Sequence, residues 1–177
     1  MGKYFDELTR AMNWLAEKPE TFFLGQAVCA DGTGMTNTLK GVDISKRLEF
    51  PVCEDFQMGV SNGLALAGRI PVSIFPRWDF LVLATNQIVN HLDRFIEISD
   101  YKPKVIIRTG VGSVRPLDPH AQHRNDYTYA FQLMLRNIEV IRLEQPEDIF
   151  PAYEKAYTRT DGKSTIIVEV SDYLGEK

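Results

Sequence analysis

Segments with helical spacing and short strand-like runs take turns from one end of this chain to the other, and that alternation restricts the fold more than any single residue does. Strands separated by helices cannot pair as hairpins. They build βα units, whose sheets are parallel and covered on both faces. Tyr4/Phe5, Leu8, Ala11/Met12 and Leu15 recur at three- and four-residue steps and stop before Pro19, which predicts an opening amphipathic helix. Strands are expected at Phe22–Leu24, Leu48–Val52, Ile70–Phe75, Lys104–Arg108, Ile138–Arg142 and Thr165–Val170. Helices are expected at Gly59–Ala67, Leu81–Ile98, Tyr127–Leu135 and Glu147–Tyr157. In the Leu81–Ile98 pattern, Leu81, Ala84, Ile88, His91, Leu92 and Phe95 share one side, so His91 reads as structural. Thr160–Lys163 reads as a turn. The fold class expected is α/β, a three-layer, doubly wound, mostly parallel sheet.

With 177 residues, 44% of them apolar and 25% charged, a single domain spanning residues 1–177 is expected. The formal charge of -4, with no long run of Lys and Arg to reverse it locally, argues against a nucleic-acid partner. No stretch approaches the roughly 20 apolar residues of a membrane-spanning helix. Lys3, Asp6 and Glu7 in the first turn fit neither a secretory leader nor a transit peptide, so the expectation is a soluble, cytoplasmic protein. Cys29 and Cys53 have no metal-ligand spacing and read as small buried side chains.

Ligands of parallel sheets bind at the carboxyl ends of the strands. The Ala30–Gly34 loop lies at such an end, and so does the long polar loop Gly110–Asn125, which holds His120 and His123. A histidine there suits proton transfer or a substrate carboxylate near neutral pH. Glu54 follows a strand and opens a helix, where the positive end of the helix dipole favours an ionised carboxylate. On position alone it reads equally as a capping residue.

From Leu48 to Phe80 the order is Pro51, Glu54, Gly59, Gly63, Ala67-Gly68, Pro71, Phe75, Trp78 and Phe80. Asn86–Asn90, Ala121-Gln122-His123, Leu143–Phe150 and Ile166–Glu169 continue it. This ordered set resembles the transketolase-like pyrimidine-binding domain of thiamine diphosphate enzymes, and most closely that of the β subunit of the 2-oxo acid dehydrogenase decarboxylase component. The resemblance implies that Glu54 hydrogen-bonds the pyrimidine ring nitrogen, so that the ring's own exocyclic amine becomes a base. It implies that Phe80 and Trp78 flank the ring and that His123 handles protons or substrate, with His120 the alternative, three residues away. Gln26 stands where that family commonly carries an acidic residue, and is assigned to the cofactor site as a hydrogen-bonding amide.

The family's magnesium signature, Gly-Asp-Gly with a downstream Asn, is missing, and Asp161-Gly162 does not supply it. No metal ligands are therefore assigned to this chain. The expectation is a stand-alone pyrimidine half that binds the ring of thiamine diphosphate, while a diphosphate-binding polypeptide brings magnesium and the rest of the site. The assembly would be a hetero-oligomer or contain a homodimer, and the small-molecule substrate a 2-oxo acid or ketose. The glutamate helix, the Trp78–Phe80 segment and the Gly110–Asn125 loop are expected to border that partner. Two alternatives stay open: a catalytically silent assembly or regulatory subunit that keeps the fold, and a binding module that works without a partner.

Overall fold

The computed structural model of the chain describes residues 2–30, 32–112, 114 and 118–175. Asp31 of the Ala30–Gly34 loop, and Ser113 and residues 115–117 of the Gly110–Asn125 loop, lie outside them. In chain order the elements are α1 (Lys3–Ala16), β1 (Thr21–Gly25), α2 (Gly34–Asn37), β2 (Arg47–Glu49), α3 (Glu54–Leu66), β3 (Ile70–Ile74) and α4 (Trp78–Leu81). They continue with α5 (Phe95–Ile98), β4 (Ile106–Val111), α6 (Thr128–Met134), β5 (Ile138–Leu143), α7 (Pro146–Thr158) and β6 (Ser164–Val170).

The strands pair in the order β2-β1-β3-β4-β6-β5, and every pairing is parallel, with no antiparallel strand among the described residues. Handedness then distributes the helices. The steps from β1 to β2 and from β5 to β6 run one way along the sheet. The steps from β2 to β3, β3 to β4 and β4 to β5 run the other way. Right-handed crossovers require the two sets to lie on opposite faces. Accordingly α1, α2 and α7 bury Leu8, Met12, Met35 and Tyr153 against Phe23, Val72 and Ile106 on one face. On the other face α3, the α4–α5 segment and α6 bury Met58, Trp78, Ile88 and Phe131 against Ile107, Ile166 and Val168. Adjacent residues such as Ile106 and Ile107 serve opposite cores, as the two-residue strand period demands.

Several sequence expectations are corrected. The second strand ends at Glu49 rather than Val52. It is an edge strand that pairs only with β1, and Pro51 has no N–H to extend the ladder. The Leu81–Ile98 helix is broken into 3-10 turns at Val82–Ala84 and Leu92–Arg94 around a π turn at Gln87–His91. An inserted residue turns the helix face by roughly 100°, and His91 accordingly lies exposed instead of on the apolar side. Cys29 and Cys53 are exposed as well. The first sits on the loop after β1 and the second is the residue before α3, so neither reaches a core. Among the described residues no helix is long and apolar enough to cross a membrane.

Two buried phenols tie the first face together. The Tyr4 hydroxyl donates to the Leu143 carbonyl and accepts from the Val170 N–H, and Tyr153 donates to Glu169. Burial, reinforced by the Glu169 carboxylate, pushes both phenols above the ordinary tyrosine value of about 10. A pKa raised by folding contributes stability that is complete below the unfolded value and lost as pH climbs through the folded one. Alkaline unfolding should therefore set in above about pH 10. Circular dichroism and phenolate absorbance should rise through it together, and Tyr4→Phe should shift the transition.

Candidate functional site

Glu54 is the first residue of α3 and is 5% exposed. The chain reaches this point from the edge strand β2 and turns through Pro51 and Cys53. Gln57, one turn further along α3, anchors that turn to the sheet. Its Nε2 donates to the Ile74 carbonyl at 3.0 Å and to Ser73 Oγ at 3.1 Å, and lies 3.5 Å from the Leu24 carbonyl. Ser61 Oγ, a turn beyond, donates to the Gln57 carbonyl and meets Ser73 Oγ. The start of α3 is thus fastened across the carboxyl ends of β1 and β3. These are the neighbouring strands from which the chain departs in opposite directions, the crevice where parallel sheets bind ligands.

Gln26 follows β1 directly, and its Nε2 donates to Glu54 Oε1 at 3.0 Å. Among the described residues Oε2 of Glu54 accepts no hydrogen bond. Gly25, just before it, lets β1 lie close against β3: a Cβ there would lie 2.5 Å from the Ile74 carbonyl oxygen. Glu49, at the end of β2, closes the loop beyond Gln26 by accepting from the N–H groups of Ala27 and Cys29. Ala27 holds a positive φ of 57° there.

A second pair lies after β3 and β4. The rings of Phe80 and His123 stand 5.1 Å apart at 36°. His123 closes a short 3-10 turn, Ala121–His123, and its Nδ1 is buried without a hydrogen-bond partner among the described residues. Arg77 Nη1 donates to the carbonyls of Gly112 and His123, at 2.9 and 3.1 Å. Asp79 Oδ1 accepts from Asn125 at 2.6 Å. His120 is exposed, with its N–H on Asp118.

Sequence reasoning put Gln26, Glu54 and His123 just after strands and took Phe80 from the resemblance; the structure joins these residues as two pairs, Gln26–Glu54 and Phe80–His123, with Phe80 inside α4. Trp78 is different. It is wholly buried and packs on Phe131 with ring centroids 4.8 Å apart, so no face of the indole is open to stack on a ligand, and its role is packing. Gln57 and Arg77 were missed. The signal for Gln57 was there, a polar residue on the helix face that also carries Met58 and Ser61 into the core, whereas nothing local marks Arg77.

Val52, Phe56 and Leu83 stand 81%, 54% and 61% exposed. They border α3 on its outer side, with the Val82–Ala84 turn packed against that helix.

Residues 3–174 match the family described as "Transketolase, pyrimidine binding domain". No curated protein sequence matches the chain. Among solved structures, "Split gene transketolase, inactive beta4 tetramer" matches with a TM-score of 0.71 at 19% identity, over 95% of this chain and 51% of that one. This chain spans about half the length of that protein, and the likeness is one of fold.

Proposed function

Since the chain belongs to the family of transketolase pyrimidine-binding domains, we propose that it is the ring-binding subunit of a thiamine diphosphate enzyme. It would work with a polypeptide that carries the diphosphate-binding domain and brings magnesium. The observation that carries this reading is Glu54, a buried carboxylate at the carboxyl edge of the sheet with one oxygen held by Gln26 and the other unclaimed among the described residues. A protonated ring nitrogen entering the crevice is a donor that this oxygen can accept, in a hydrogen bond strengthened by the carboxylate's charge.

When bound, thiamine diphosphate would supply an acidic C–H whose deprotonated carbon is a nucleophile toward the carbonyl of a 2-oxo acid or ketose, and an electron sink for cleavage or transfer of a C–C bond. Glu54 accepts the hydrogen bond of the ring nitrogen and so sets the protonation of the ring. Gln26 orients Glu54 with an amide where relatives commonly place an acid. Phe80 packs along the ring, and the imidazole of His123 exchanges a proton with the substrate or hydrogen-bonds its carboxylate. Exposed Phe56, Val52 and Leu83 are covered by the partner, and the assembly is cytoplasmic. A catalytically silent subunit is the second reading, favoured by Gln26 in place of an acid and by the imidazole already stacked on Phe80.

Calorimetry on the chain mixed with a Gly-Asp-Gly…Asn polypeptide, magnesium and thiamine diphosphate tests this. Binding and turnover are expected from the mixture and from neither polypeptide alone. No binding by the mixture overturns the proposal, and binding that ignores substitution of Glu54 favours the silent subunit.

A further inference from the structure

Three residues from one short segment grip the loop that carries His123. Arg77, the residue before α4, reaches out with a single guanidinium nitrogen to the carbonyls of Gly112, at the exit of β4, and of His123, eleven residues later. Asp79 holds Asn125, just beyond His123. Phe80 holds the imidazole itself by ring contact. The first grip is the unusual one. Gly112 and His123 lie on the two limbs of the excursion from β4, and Arg77 joins them through one nitrogen, so a side chain ties the limbs together at this point. An arginine suits this, since its planar guanidinium stays charged and holds fixed donor directions. Burial lowers its pKa somewhat, while the carboxylates of Asp79 and Asp172 oppose that shift and keep it cationic. The imidazole beyond the clamp has Nδ1 buried and unpartnered among the described residues, so that nitrogen does not fix the orientation of the ring.

We propose that Arg77 is a positioning residue that fixes His123 against Phe80 by bridging the Gly112 and His123 carbonyls. The proposal rests on the reading of His123 as a proton-handling group, but the clamp can be tested apart from it. The chain has three histidines, and His91 and His120 are exposed. In the full-length chain with labelled histidine, the imidazole resonances of His123 should be displaced from the other two by the Phe80 ring. Arg77→Met keeps the apolar stem and removes the donors. In a folded Arg77→Met chain the His123 resonances should move to join those of His91 and His120, and Arg77→Lys should restore part of the displacement. In the reconstituted enzyme Arg77→Met should lower kcat by up to about 100-fold, the cost of a small misplacement of a reacting group, with KM within about twofold.

An unmoved His123 resonance in a folded Arg77→Met chain overturns the clamp and leaves the role of His123 intact. Full turnover by His123→Ala removes that role and leaves the clamp intact. If Arg77→Met does not fold, the wild-type chain decides: cross-relaxation between the Arg77 guanidinium protons and the His123 backbone supports the clamp, and its absence overturns it.

Discussion

Glu54→Ala and Glu54→Gln should each lower turnover of the reconstituted enzyme by at least about 100-fold, the lower range for removal of a general acid-base group. Both should leave the chain folded. The distinction between the two effects follows from where Glu54 sits. As the first residue of α3 its charge favours the helix dipole, a contribution of about 0.3–1 kcal/mol, and the hydrogen bond from Gln26 is the single one the described residues give it. Stability therefore has little to lose, and relief of carboxylate burial offsets part of that loss. The catalytic loss is different in kind. Glutamine keeps the shape and can still accept from Gln26, but it carries no charge, and it cannot hold the proton of a ring nitrogen as a carboxylate does. A thermal melt alongside steady-state kinetics separates these cases. A kcat reduced by less than about tenfold in the glutamine variant, with the melt unchanged, would remove Glu54 from the chemistry.

The sequence pattern reached the strands and helices because each carries its own period. Where elements are too short to show one, it failed. Helix α2 has four residues and is nucleated by a local cap, Thr33 Oγ1 accepting from the Thr36 N–H, inside what looks like a glycine-rich loop. The π turn at Gln87–His91 leaves apolar spacing on both sides nearly intact, so the sequence reads as continuous helix. Site residues followed the same rule. Glu54 could be found because a strand, a proline and a helix start stand next to one another in sequence. That Gln26 is its hydrogen-bond partner could not be read, since the two are brought together by the order of strands and not by spacing. Arg77 reaches across 35 and 46 residues to its acceptors and has no local mark at all.

The same reason hid the Arg108–Glu169 pair, whose removal should cost the fold more than any other single change. Both side chains are completely buried. They come from β4 and β6, adjacent only because the chain crosses over from β4 to β5 before β6 fills the gap. Arg108 Nε and Nη2 donate to the two carboxylate oxygens at 2.5 and 2.9 Å, Nη1 donates to Thr38 Oγ1 at 2.9 Å, and Tyr153 donates to Glu169 Oε1 at 2.7 Å. Burial on its own would lower the arginine's pKa, but the pull of Glu169, with smaller help from Tyr153 and Tyr4, raises it above the ordinary value. The network thus links the sheet to α7 and to the stretch just after α2, under the strand that leads to the His123 loop. Removing one partner strands the other charge in a dry interior. Glu169→Gln or Arg108→Met should each cost about 3–5 kcal/mol, a large share of the 5–15 kcal/mol that holds a typical domain together. Poor soluble expression would then be the first sign. Removing both charges should behave differently, because a pair's desolvation penalty can match its attraction. Arg108→Met with Glu169→Leu should be more stable than either single variant. Adding Tyr153→Phe should recover about 1–3 kcal/mol more by eliminating a hydroxyl left without an acceptor. Urea unfolding of the set measures this. Costs that simply add, with the double variant the least stable, would mean that the two side chains do not act as a pair.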